Sequence, residues 1–108
     1  MYVEKRREPR YPFVAMAEIV SERENARVTS RTSDISLHGC YVEMSDPFSQ
    51  GTTVTIGLYT ETDSVETQAT VAFFEAHTGM GLMFREMPEH YTNVLKKWLA
   101  QAKGRKAN

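Results

Sequence analysis

Two groups of residues in this chain have the types and the spacing to do chemistry. The first is Arg6, Arg7 and Arg10, in the run Glu4-Lys5-Arg6-Arg7-Glu8-Pro9-Arg10. Guanidinium forks bind phosphate bidentately and stack on flat rings, neither of which an ammonium does well. A solvated basic arm is the plainer reading, yet such an arm gains nothing from arginine over lysine. The second group is Asp34, Ser36 and Gly39, in Asp34-Ile35-Ser36-Leu37-His38-Gly39. Residues two apart in extended chain project to one side, so Asp34 and Ser36 bring a carboxylate and a hydroxyl to one small volume. Gly39 offers the positive φ that a tight corner often needs. The plainer reading is that Asp34 and Ser36 satisfy turn amides.

Extended segments must carry both groups. Pro9 lacks an amide hydrogen and biases Glu8 away from helix. Phe13 to Val20 reads as a strand with Phe13, Ala15, Ala17 and Ile19 on one face. Ser21 to Asn25 is a polar turn, and Ala26 to Thr32 returns as the second half of a hairpin. The Asp34–Gly39 corner leads to a strand at Cys40 to Met44, followed by a loop rich in proline, glycine and serine. Thr53 to Tyr59 alternates with Val54, Ile56 and Leu58 inward. Val65 to Phe74 is a longer strand with Val65, Thr67, Ala69, Val71 and Phe73 on one face, and the Phe73-Phe74 pair suggests that both faces are covered near its end. Gly79 to Phe84 closes the series, its glycines marking a turn, a bulge or a close backbone approach. Six short strands at regular spacing predict a small antiparallel barrel, all-β but for one C-terminal helix. That helix opens at Pro88 and Glu89 and carries Tyr91, Val94, Leu95, Trp98, Leu99 and Ala102 as one apolar stripe. The stripe is expected to pack on the barrel.

Composition bounds the rest. The chain has 108 residues, 41% hydrophobic and 25% charged, with a net charge of −1. That is one ordinary globular domain, not a generic polyanion binder. The domains expected are an N-terminal arm at 1–11 with the arginine motif, a barrel and helix at 12–102, and a polar tail at 103–108. The one cysteine, Cys40, alternates with apolar neighbours and reads as a buried small hydrophobe. His38, His77 and His90 lack ligand-like spacing, so no metal site is expected. No nucleophile turn, paired carboxylates, phosphate-cradling loop or dinucleotide fingerprint is present, and an enzyme is not expected. No run approaches the roughly 18 apolar residues of a membrane span, and the charged start lacks a secretory leader; the cytoplasm is the expected compartment.

The two groups together resemble the signature motifs of PilZ domains, the bacterial cyclic di-GMP receptors. Arg6, Arg7 and Arg10 stand before the first strand, and Asp34-x-Ser36-x-x-Gly39 follows about two dozen residues later. The run Gly79 to Phe84 and the terminal helix resemble that family's ending, so the likeness spans roughly Lys5 to Ala100. It implies a six-stranded PilZ-like barrel with cyclic di-GMP held outside by Arg6, Arg7, Arg10, Asp34, Ser36 and Gly39. Arg6 and Arg10 resemble the family's outer pair and would fork onto phosphate or onto guanine O6 and N7. Ionised Asp34 accepts only, which suits the N1–H and N2–H donors of guanine's other edge. Lys5 stands where the family is thought to set whether one ligand or a stacked pair binds. The function implied is a single-domain receptor and adaptor whose mobile arm orders on the dinucleotide and changes its surface for a downstream protein partner. The alternative is a PilZ-like interaction module that binds no nucleotide. Polymeric nucleic acid is disfavoured, because the aromatics mostly fall on apolar-alternating faces.

Overall fold

The computed structural model describes residues 9–106, with side chains as far as Gly104. Seven strands precede the helix: β1 (Tyr11–Pro12), β2 (Met16–Ser21), β3 (Ala26–Ile35), β4 (Gly39–Glu43), β5 (Thr53–Tyr59), β6 (Ser64–Glu75) and β7 (Gly79–Phe84). The helix, α1, is Glu89–Lys106. Strands β2 to β7 close into a six-stranded antiparallel barrel, because β4 pairs with β3 as well as with β7. Closure leaves no long unpaired edge to template another chain. Inward positions alternate as the sequence predicts: Ala17, Ile19, Ile56, Leu58, Val65 and Val71 are buried.

The expected strand Phe13–Val20 begins only at Met16, as β2, and a seventh strand that was not expected, β1, precedes it at Tyr11–Pro12. Both β1 and β2 pair with β3, at Ile35 and Asp34 and at Arg31 to Ala26 respectively. Between them the chain kinks, and a buried hydroxyl holds the kink. Thr32 Oγ1 donates to the Phe13 carbonyl at 2.7 Å and accepts from the Ala15 amide at 2.9 Å. Alternation in Phe13–Val20 could not show this, since the holding group lies on another strand.

Three further expectations change. The Asp34–Gly39 corner is shorter than predicted, because β3 continues through Ile35 and only Ser36 to His38 turn. Gly39 has no positive φ; the one glycine in that region among the described residues is Gly51, at 89°. Gly39 is required for another reason: a Cβ there would lie 2.3 Å from the Leu82 carbonyl oxygen, so the opening of β4 can approach β7 only without a side chain. The Phe73-Phe74 pair is not covered on both faces. A register irregularity between Val71 and Phe73 interrupts the alternation, and Phe74 is 48% exposed.

The helix packs against β6 and β1. Leu95, Trp98 and Ala102 are buried and Tyr91, Val94 and Leu99 partly so, as the stripe predicts. Its backbone continues past the predicted boundary at Ala102 to Lys106, so the first part of the expected tail is helical. No proline intervenes to stop it, and Gly104 alone only weakens it.

Candidate functional site

The site begins with register. Asp34 of β3 stands opposite Tyr41 of β4, Tyr41 opposite Gly81 of β7, and Gly81 opposite Phe73 of β6. These four form one cross-strand row on the outside of the barrel, since the neighbours Met80 and Leu82 of Gly81 are buried in the core. Gly81 is what lets the row lie flat. A Cβ there would come within 2.3 Å of the Phe73 ring, so the ring covers bare backbone. The Tyr41 ring stands 6.1 Å from that of Phe73, tilted by 39°.

Short β1 delivers Arg10 to this row. Its guanidinium carbon lies 5.7 Å from the Phe73 ring centroid, within reach of a cation–π contact. Its Nη1 lies 3.9 Å from Asp34 Oδ1, with side-chain exposures of 21% and 28% for the two residues. At that length the pair is an attraction of charges and not a hydrogen bond, and Asp34 Oδ1 itself is shielded from water.

Of the residues singled out from sequence, Arg10 and Asp34 are brought together, and Ser36 and Gly39 are joined to each other. Ser36 is buried, its hydroxyl donating to the Gly39 carbonyl at 3.3 Å and its amide to the same oxygen at 2.8 Å. Ser36 thus braces the corner behind Asp34. Arg6 and Arg7 lie outside the described residues. Sequence reasoning set Tyr41 on the face opposite buried Cys40 but did not single it out for the site, and it put Phe73 on the inward face of its strand. The glycines at Gly79 and Gly81 were the available signal, because a residue without a side chain in a strand often marks where something lies close.

Electrostatics separate the groups that titrate from those that do not. Burial, and then the Asp34 carboxylate, push the Cys40 thiol well above the usual range, so it stays protonated and inert at neutral pH. Cys40 is fully buried, as its alternation predicts. Tyr41 donates its phenol hydrogen to a Glu75 carboxylate oxygen. Burial and that bond push the phenol up from 10.0 to about 12. A folded-state value above the unfolded one favours the neutral form, so its stabilisation is intact below the unfolded value and lost as pH rises through the folded one. We expect a phenolate absorbance step near pH 12 in the native protein that is missing from Tyr41→Phe. Subtracting the two ultraviolet titrations measures it.

Among the described residues no group of three or more His, Cys, Asp or Glu side chains could hold a metal ion, and no helix is long and apolar enough to cross a membrane. The chemistry on offer is recognition: a cation, an aromatic face and a carboxylate acceptor side by side on the wall of a closed barrel.

The six-stranded antiparallel barrel with one C-terminal helix is a PilZ-like fold. The PilZ domain family model matches residues 4–101, and the chain belongs to that family. No curated protein matches the sequence. Among solved structures, the PilZ domain of YcgR from Escherichia coli, determined with c-di-GMP, is similar with a TM-score of 0.77 at 13% identity, over 96% of this chain and 95% of that one. The PilZ domain of CeSA from a cellulose-synthesizing bacterium is similar with a TM-score of 0.67 at 21% identity, over 86% of this chain and 97% of that one. The Bacillus subtilis inhibitor of motility, MotI/DgrA, gives 0.74 at 20% identity; this chain is covered to 98% but spans only 53% of that one. At these identities the likenesses show the fold.

Proposed function

We propose that this chain is a receptor for cyclic di-GMP and acts as an adaptor rather than a catalyst, in the cytoplasm. The observation that carries the proposal is the meeting of Arg10, just before β1, with Asp34 of β3 and Phe73 of β6 on one outer face. Each matches a different part of the ligand. Arg10, with Arg6 and Arg7 from the preceding segment, takes the phosphates or the O6 and N7 edge of a guanine. Asp34 accepts from guanine N1–H and N2–H, a donor pair that adenine lacks. The Phe73 ring, now under Arg10, offers a flat apolar face to a base. Ser36 and Gly39 shape the strand that holds Asp34. The PilZ domain of YcgR was solved with c-di-GMP, which supports the same ligand class here.

Binding exchanges a weak internal ion pair for several charge-assisted bonds of about 1.5–3 kcal/mol each. Those bonds must outweigh the entropy lost when the arm settles on the barrel. The ordered arm then presents a changed surface to a protein partner. Val14 and Met16, 65% and 59% exposed, lie just beyond β1 and would be part of what that partner meets.

Calorimetric titration with cyclic di-GMP and, separately, cyclic di-AMP tests the proposal. Binding of the guanine ligand with at least tenfold preference is expected. Equal binding overturns the role of Asp34. Absence of binding leaves the ligand-free interaction module as the function.

A further inference from the structure

The segment carrying Arg10 is not a free linker, and what fixes it lies away from the ligand face. β1 is two residues long, Tyr11–Pro12, paired with Ile35 and Asp34. So short a strand is marginal by itself. The next residue supplies what it lacks. Phe13 is buried and stacks on Trp98 of α1, with ring centroids 5.4 Å apart and planes inclined by 27°. Its amide donates to the Ser33 carbonyl at 3.2 Å. Its carbonyl and the Ala15 amide both bond to Thr32 Oγ1, a hydroxyl with no exposure to solvent.

We infer that Thr32 and the Phe13–Trp98 stack are positioning elements for Arg10, and that the C-terminal helix is thereby coupled to ligand binding. The inference rests on the receptor reading above. Thr32 spends its hydroxyl as donor and acceptor at once, on the two sides of the kink. Removing it leaves a buried carbonyl and a buried amide short of a partner, both in the segment that aims Arg10 at Asp34. Phe13 turns the same kink into a plug seated on α1. Coupling between sites is reciprocal: if a seated Phe13 helps Arg10 meet the ligand, the ligand must tighten the seat of Phe13 on Trp98 by the same factor.

Trp98 is the only tryptophan of the chain, so the coupling has its own reporter. The test takes the full chain, Thr32→Val, Thr32→Ser and Phe13→Leu, each well below its melting midpoint. Affinity for cyclic di-GMP is measured by calorimetry, and the helix by Trp98 emission and amide exchange. Thr32→Val and Phe13→Leu are expected to bind about 5- to 150-fold more weakly, the usual span of coupling between sites. Thr32→Ser keeps the hydroxyl and restores affinity. In the wild type, cyclic di-GMP shifts Trp98 emission and slows exchange in Tyr91 to Ala102; in Phe13→Leu the emission shift is lost. A merely structural role lowers the melting midpoint but moves neither affinity nor emission. Folded Thr32→Val and Phe13→Leu that bind as tightly as wild type overturn the inference while leaving the receptor reading intact. A wild type that binds no cyclic di-GMP overturns both.

Discussion

Asp34→Ala and Arg10→Ala are each expected to weaken cyclic di-GMP binding by about 10- to 150-fold, the loss of one charge-assisted hydrogen bond of roughly 1.5–3 kcal/mol. Neither should move the thermal midpoint much. Both side chains lie on the outer face, and the pair they form is a long one at 3.9 Å. At that length it is no hydrogen bond, so it holds less than the charge-assisted bonds that the ligand supplies. The two losses should not add, because the residues touch each other before ligand arrives. Asp34→Asn sharpens the result. It keeps the size and one acceptor oxygen but replaces the other with a donor facing guanine donors, so it should fail almost as badly as alanine. Calorimetric titration beside a thermal melt reads both quantities. Variants that melt and bind like the wild type would remove Asp34 and Arg10 from the site.

Trp98→Ala should do the opposite, costing stability first. The ring is 1% exposed and joins α1 to Phe13 at the root of β1. Truncating a buried Trp or Phe to Ala costs about 3–5 kcal/mol, against a total of about 5–15 for a typical domain. Each kcal/mol shifts the midpoint by about 4–8 °C at 60–100 residues, so the drop is large. Differential scanning calorimetry measures it. Lys97→Ala is the control: Lys97, next to Trp98 in the chain but on the exposed face, makes only a surface ion pair with Asp63, at 2.9 Å, and its loss should leave the midpoint nearly unchanged. If Trp98→Ala melts with the wild type, the helix is not part of the folded core.

Where alternation was clean, the sequence was enough. Thr53–Tyr59 has the bounds that its pattern predicts, because a strand with one face in the core cannot slip by a residue without exposing its whole apolar set. Cys40 and the helical stripe were legible for the same reason. The failures share one cause as well. Phe13 to Ala15, expected to open a strand, instead links β1 to β2, and a hydroxyl from Thr32 bonds to both Phe13 and Ala15. At Phe73 the inward pattern of β6 is interrupted by a register shift, and the ring lies over Gly81 of the next strand. Gly39 mattered as expected, but through the approach of β7 and not through its own φ.

The amino-acid order alone therefore determined the six strands of the barrel, the helix, the burial of Cys40 and the family. Those follow from periodicity and from motif spacing, which are local in the chain. Only the tertiary structure decided that Arg10 meets Asp34, that Phe73 and Tyr41 share their face, and that Thr32 and Trp98 hold the segment carrying Arg10. Such meetings depend on which strands become neighbours when the barrel closes, and a pattern within one strand carries no record of what lies across from it.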